Sequence, residues 1–222
     1  MERDSHILLV EGETDRGFFE QVCKALLNPM PTIKVGVPKD YQGQIRNSKQ
    51  GVFITLRRLL LGLMSEDSQP RRLAAIVDAD YDTTHGLGFQ KTLEQVKAIA
   101  AEHDFDLSAT NGNGFIFRNG ELAFGLWIMP NNQHDGMLED FIKTCIKLDE
   151  QVLFNHASQT IQAISEPKFD KTIHLTKAEI ATWLAWQKTP GHGFYAAVKD
   201  DLLQTDHDLF QELERWLKQI FI

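Results

Sequence analysis

Cysteine is scarce: the chain has two in 222 residues, Cys23 and Cys145. They show no metal-ligand spacing and both sit in apolar helical patterns. The expectation is two buried free thiols in a reducing cytoplasm rather than a disulfide. No apolar run approaches the roughly 18 residues of a membrane span. The opening MERDSHILLVEG puts charges first and then an apolar run of only four residues, a pattern that predicts no secretory signal. A cytoplasmic protein with no membrane association is therefore expected. Internal repeats, low-complexity segments and the G-x-x-x-x-G-K-[ST] phosphate loop are also missing. Basic residues are outnumbered, 23 Lys and Arg against 31 Asp and Glu, for a net charge of −8. That balance speaks against a protein that coats nucleic acid by charge alone. It leaves room for one that acts on nucleic acid through bound divalent cations, which invert the local charge.

What is present is an alternation of strand and helix patterns. HILLV (6–10) reads as a buried strand that stops at EGETD, and RGFFEQVCKALL (16–27) reads as the helix after it. TIKVGV (32–37) is a second strand, and residues 38–51 form a polar loop or the approach to a helix over 52–64. LAAIVDAD (73–80) is a third strand, continuously apolar as a central parallel strand covered on both faces should be. A helix is predicted over 89–103, two strands around an RNGE hairpin over 114–130, and another helix over 137–146. Strands alternating with helices predict an α/β domain, residues 1–148, whose mainly parallel sheet carries helices on both faces. Beyond residue 148 only helical patterns follow, so 149–222 is expected to be a helical extension packed on that domain. Its loosest point is expected at SEPKFDKTIH (165–174).

Two acidic clusters fall at predicted strand ends, EGETD (11–15) and DADYD (78–82). Ligand sites of open α/β sheets lie at the carboxyl ends of the strands. On a strand, residues two apart face the same side, so Asp78 and Asp80 are expected to point together. Two carboxylates this close repel, and a divalent cation resolves the conflict. Magnesium favours oxygen donors, with water and phosphate oxygens completing its shell. Glu11 occupies the analogous place after the first strand, and Asp15 follows one helical turn later. An Asp-x-Asp after an apolar run, taken alone, is also how strands end and helices are capped. Asp82 reads as loop or cap. His85, His134 and His192 lie in polar or glycine-rich loops and receive no role. Trp183 and Trp186 read as core anchors of the helical extension.

LLVEGETD followed later by AAIVDAD resembles the TOPRIM domain of topoisomerases, bacterial primases, recombination-repair proteins and the overcoming-lysogenisation-defect (OLD) nucleases. GLWIMPNNQHDGMLEDFI (125–142) and KAEIATWLAWQKTPG (177–191) resemble a family of small stand-alone TOPRIM-related proteins of unassigned function. With these stretches the likeness covers nearly the whole chain. The resemblance implies a TOPRIM-like fold and phosphodiester hydrolysis on DNA or RNA, dependent on one or two Mg²⁺ or Mn²⁺ ions. It makes Glu11 a metal ligand or general acid–base, and Asp78 and Asp80 metal ligands. Asp15 and Glu139 become further acidic positions of that site. Lys177, inside the family-like block, is the candidate for a lysine that neutralises charge in the transition state. As residues alone, Glu139 reads equally as a helix cap and Lys177 as a solvated helix residue.

OLD nucleases usually carry an ATPase in the same chain. The missing phosphate loop would make any ATPase control the work of a separate subunit, in a defence or repair setting. None of Tyr41, Tyr81 and Tyr195 can be matched to the topoisomerase tyrosine. Two rival readings stand beside the nuclease. One is a non-catalytic metal-binding or regulatory partner of an ATPase, which the acidic balance suits. The other is a small-molecule phosphatase or phosphotransferase. The haloacid dehalogenase-like phosphatases place their Asp-x-Asp near the domain start, with Thr or Val four residues after the first aspartate. Here that position is Asp82, on the third predicted strand.

Overall fold

The computed structural model describes residues 5–36, 48–65, 71–82, 86–108 and 114–222. Six strands form one sheet in the order β2-β1-β3-β6-β5-β4. They are β1 (His6–Val10), β2 (Thr32–Val35), β3 (Arg72–Asp78), β4 (Asp106–Ser108), β5 (Phe115–Asn119) and β6 (Leu122–Met129). Strands β2, β1, β3 and β6 run parallel, and β5 and β4 add an antiparallel edge. The first and third strands are direct neighbours, with His6 opposite Arg72 and Leu9 opposite Ala75. Sequence alone could not establish that adjacency. It brings the two acidic clusters to one end of the sheet, beyond the carboxyl ends of neighbouring strands.

Eight α-helices are described: α1 (Glu13–Leu26), α2 (Ser48–Leu63), α3 (Gly88–Ala101), α4 (Leu138–Thr144), α5 (Gln151–Gln162), α6 (Lys171–Ala185), α7 (Tyr195–Lys199) and α8 (Asp208–Phe221). The continuous apolar run of β3 serves both faces of the sheet, as expected. Leu73, Ala75 and Val77 pack with Val52, Leu56 and Leu60 of α2 and with Val96 and Ile99 of α3. Ala74 and Ile76 face the other way, into a core shared with Phe18 and Phe19 of α1, Phe141 of α4, Trp183 of α6 and Leu217 of α8. One apolar cluster therefore runs from the sheet into the C-terminal helices. No helix among the described residues is long and apolar enough to cross a membrane.

Several boundaries differ from expectation. The short β4 was not anticipated: three residues, two exposed and one half-buried, carry no readable period. Helix α6 begins at Lys171, inside the segment expected to be loosest, because Asp170 caps it by accepting the Thr172 N–H at 2.8 Å. The five-residue α7 was also missed. Helix α2 starts at Ser48, four residues before the predicted start, and β2 ends at Val35. His85, Tyr41 and much of the loops expected at 38–51 and 65–72 lie outside the described residues. Both cysteines are buried and free. Burial pushes each thiol up to about 12, which leaves neither reactive at neutral pH.

Candidate active site

Glu11 follows the last residue of β1 directly and is buried. Its Oε1 accepts the backbone N–H of Asp78 at 2.9 Å, across the neighbouring strand end. Asp78 closes β3, and its own Oδ1 accepts the N–H of Leu138, the first residue of α4, at 2.9 Å. One carboxylate ties β1 to β3, and the next ties β3 to α4. Asp15 lies in the first turn of α1, where its Oδ2 accepts the Gly12 N–H at 3.0 Å. A Cβ at position 12 would stand 3.1 Å from that oxygen, so the close approach favours glycine there. Glu139 is buried in the first turn of α4, and its Oε1 stands 3.2 Å from Lys177 Nζ of α6.

These groups share one cavity of about 230 Å³, lined among others by Glu11, Asp15, Asp78, Glu139, Lys177 and Phe194. It opens at the carboxyl ends of the parallel strands, where α/β sheets place ligands. Five of the six residues singled out from sequence are therefore together. The sixth, Asp80, is not among the cavity's lining residues. Strand β3 ends at Asp78, and Asp80 takes a left-handed backbone, φ 58°. That turn breaks the strand's period of two, so the expected joint orientation of Asp78 and Asp80 does not hold. Asp80 instead exchanges two backbone hydrogen bonds with Gly136, at 2.9 and 3.0 Å. Its carboxylate receives Lys49 Nζ at 2.6 Å.

Lys49 is the residue that sequence reading missed. It is almost fully buried in the first turn of α2 and also donates to the Ala79 carbonyl at 3.0 Å. Its only sequence signal is a lysine placed just before an apolar helix, which describes many solvated residues equally well. Asp82 keeps to loop chemistry and pairs with Lys91 at 2.6 Å. His134 bonds within its own loop to Asn131, and the His192 ring lies against Tyr195 at 5.5 Å between centroids. Trp183 is a core anchor as expected, with its indole N–H on Glu150 at 3.0 Å. Trp186 is not: it is substantially exposed at the end of α6. Tyr81 donates to Asp140 at 3.1 Å. Burial, with Asp140 beside it, pushes its hydroxyl up to about 12.

The electrostatics of the cavity are those of a site short of positive charge. Burial raises Glu11 to about 8; Lys49 opposes the rise and Asp80 adds to it. Burial raises Asp15 to about 6, with Glu139 contributing by repulsion. Asp78 is pushed well above the usual carboxylate range by burial and then by Glu11, Asp15, Glu139 and Asp80. Lys177 responds in the opposite sense: burial lowers it, and the attraction of Glu139, Asp78 and Asp15 outweighs that and raises it.

Among the described residues, no three His, Cys, Asp or Glu side chains are arranged to hold a metal ion together. Magnesium does not require three. It commonly takes one or two carboxylates and completes its shell with water and substrate phosphates. The donor set here fits such a cation in kind, because the lining offers hard carboxylate oxygens whose mutual repulsion a divalent charge relieves.

A model of the family described as "Protein of unknown function (DUF3226)" matches residues 5–222. No curated protein and no solved structure gives a match.

Proposed function

We propose that this chain, which belongs to the DUF3226 family, is a TOPRIM-like hydrolase that cleaves phosphodiester bonds of DNA or RNA with Mg²⁺ or Mn²⁺. The observation that carries the reading is the convergence of Glu11, Asp15, Asp78 and Glu139 with Lys177 on one cavity at the carboxyl end of a parallel sheet. The likeness of EGETD and DADYD to the TOPRIM acidic motifs supports it. When bound, the cation supplies an activated water and neutralises charge on the phosphate.

The chain's own residues do the rest. Glu11 holds the ends of β1 and β3 in register by accepting the Asp78 N–H, and the carboxylate oxygens of Glu11 and Asp78 left without a backbone donor would hold the cation. Asp15 and Glu139 approach from α1 and α4 and give the site its capacity for a second ion. Lys177 stands beside Glu139 and places a positive charge where the phosphoryl oxygens gain negative charge. Asp80 acts one step away: paired to Lys49, it sets the field around Glu11 and Asp78 and bonds the backbone at Gly136.

One observation favours a second reading. Asp80 and Glu139 already pair with lysines, and among the described residues no three carboxylates are arranged to hold one metal ion. A regulatory subunit of a separate ATPase, keeping the scaffold for interaction, would tolerate that arrangement. Isothermal titration with Mg²⁺ and Mn²⁺, with plasmid and RNA cleavage on the same samples, separates the two. The hydrolase reading expects metal binding and metal-dependent cleavage in the wild type, both lost in Asp78→Asn. Negligible metal binding and no cleavage in either protein would defeat it in favour of the regulatory subunit.

A further inference from the structure

We propose that the opposite end of the sheet carries a second ligand site, a cleft that binds a phosphate-type oxyanion between Arg71 and Arg118. A cavity of about 430 Å³ opens there, lined among others by His6, Arg71, Arg72, Arg118, Glu121 and Ala123. The sheet register builds it. His6 pairs with Arg72 across β1 and β3. Leu73 pairs with Phe124, which sets Arg72 beside Ala123, and Ala123 pairs with Arg118 of β5. Laterally paired residues project to the same face, so His6, Arg72, Ala123 and Arg118 form one row. Their strands also send Leu8, Ala74, Ile116 and Trp127 into the core beneath α8, so the row lies on that face. Ala123 has no side chain beyond Cβ. It leaves a gap between two arginine-bearing strand positions roughly 10 Å apart.

The three arginines divide the work. Arg72 is occupied: Nη1 donates to the Ile220 carbonyl at 2.9 Å and Nη2 to the main-chain oxygen of Ile222 at 3.3 Å, which ties the end of α8 against the sheet. That contact forms the back wall of the cleft. Arg71 and Arg118 are exposed, and neither guanidinium has a hydrogen-bond or ion-pair partner among the described residues. Glu121 is the acidic residue of the lining. In a chain of net charge −8, a cleft with three arginines and one glutamate is a local inversion of charge. A guanidinium fork presents paired N–H groups at the spacing of phosphate oxygens, which a lysine cannot do.

The cleft is separate from the carboxylate cavity. Arg72 and Asp78 begin and end β3, a separation of roughly 20 Å at strand rise. Carboxylates at one end repel an anion, and arginines at the other attract it. This site does not rest on the hydrolase reading.

The test uses the full chain without divalent cations. Pyrophosphate binding is measured by calorimetry, and binding of a short labelled single-stranded oligonucleotide by fluorescence anisotropy, at low and moderate salt. Wild type is compared with Arg71→Ala/Arg118→Ala, with Arg118→Glu alone, and with Asp78→Asn. Both arginines are exposed, so the urea midpoint is expected to stay unchanged. Arg118→Glu provides a second test if the double variant folds poorly. The expected result is saturable pyrophosphate binding, weakened about tenfold or more in the arginine variants and unchanged in Asp78→Asn. Oligonucleotide binding that weakens in the arginine variants without pyrophosphate binding also supports the site, with the phosphate supplied by a nucleic-acid backbone. Binding of both probes that ignores the arginine variants, or no binding of either by wild type, overturns it.

Discussion

The Glu11 carboxylate accepts the backbone N–H of Asp78 at 2.9 Å, so the group that faces the cavity also locks the ends of β1 and β3 together. The two duties can be separated. Glu11→Gln keeps an amide oxygen for the Asp78 N–H and removes the charge. Glu11→Ala removes both and leaves a half-buried N–H without its acceptor, at a cost of about 1–3 kcal/mol. Urea unfolding is expected to place Glu11→Gln near the wild type and Glu11→Ala well below it. Metal-dependent cleavage is expected to vanish in both. Equal stability of the two variants would show that the hydrogen bond contributes nothing to the fold.

The raised carboxyls also set a pH dependence. Burial first, then repulsion from neighbouring carboxylates, lifts Glu11 from 4.5 to about 8 and Asp15 from 3.8 to about 6. A folded-state value above the unfolded one favours the protonated form in the fold. The stability it contributes is full below about pH 4 and is lost as pH rises through about 6 and then 8. Thermal melting in chelator is therefore expected to show a falling midpoint between about pH 5 and 8. Asp15→Asn should flatten the lower part of that fall and Glu11→Gln the upper part. Added Mg²⁺ should restore the midpoint at the alkaline end, because a ligand that binds only the folded state stabilises it. A midpoint that climbs steadily over this range without metal would contradict the electrostatics of the cavity.

The strands and long helices were legible because apolar periodicity reports burial, and the core of this fold is built from those residues. HILLV, LAAIVD and the hairpin strands appear where the pattern places them. So does α8, whose amphipathic face buries Phe210, Leu213, Trp216 and Leu217. The short elements were not legible: β4 and α7 span three and five residues, fewer than two turns or periods. The site was legible as acidic residues at strand ends and illegible in its wiring. No local pattern announces that Asp80 turns to φ 58° or that a buried lysine from α2 comes to meet it. Both depend on chain segments distant in sequence. The arginine row has the same origin: Arg72 and Arg118 belong to different strands, and only the register puts them on either side of Ala123.

Asp80 offers a test that separates backbone from charge. At φ 58° the left-handed conformation is tolerated by Asn and Asp far better than by Ala. Asp80→Asn keeps that tolerance and an oxygen for Lys49, whereas Asp80→Ala loses both. The alanine variant is expected to be the less stable by about 1–2 kcal/mol, read from chemical denaturation. Asp80→Gly relieves the backbone and abolishes the Lys49 contact, so it should fall between them. If the three variants unfold together, the left-handed turn carries no strain that the side chain relieves.

Glu179 of α6 is the most buried acidic residue outside the cavity. It collects Lys143 of α4 at 2.7 Å, Ser158 of α5 at 2.7 Å and Gln162 of α5 at 3.0 Å. Burial raises its titration, and the bonds from Lys143, Gln162 and Ser158 outweigh that, so the net direction is downward. A lowered folded-state value contributes stability that is present above the ordinary carboxylate range and lost as pH falls through the folded value. The network joins α4, which carries Glu139, to α6, which carries Lys177, and so fixes the helices on either side of that ion pair. Lys143 is 40% exposed and can regain water when its partner is removed. The cost of Glu179→Ala is therefore expected near 1–3 kcal/mol, below that of breaking a fully buried pair. Glu179→Gln keeps the shape and loses the charge, and should cost less. Acid unfolding gives the sharper reading: wild type should lose stability below about pH 4 faster than Glu179→Gln does. If the two acid limbs coincide, the Lys143 pairing contributes no charge-dependent stability, and α6 is held by the burial of Ile180, Trp183 and Leu184 and by its uncharged hydrogen bonds.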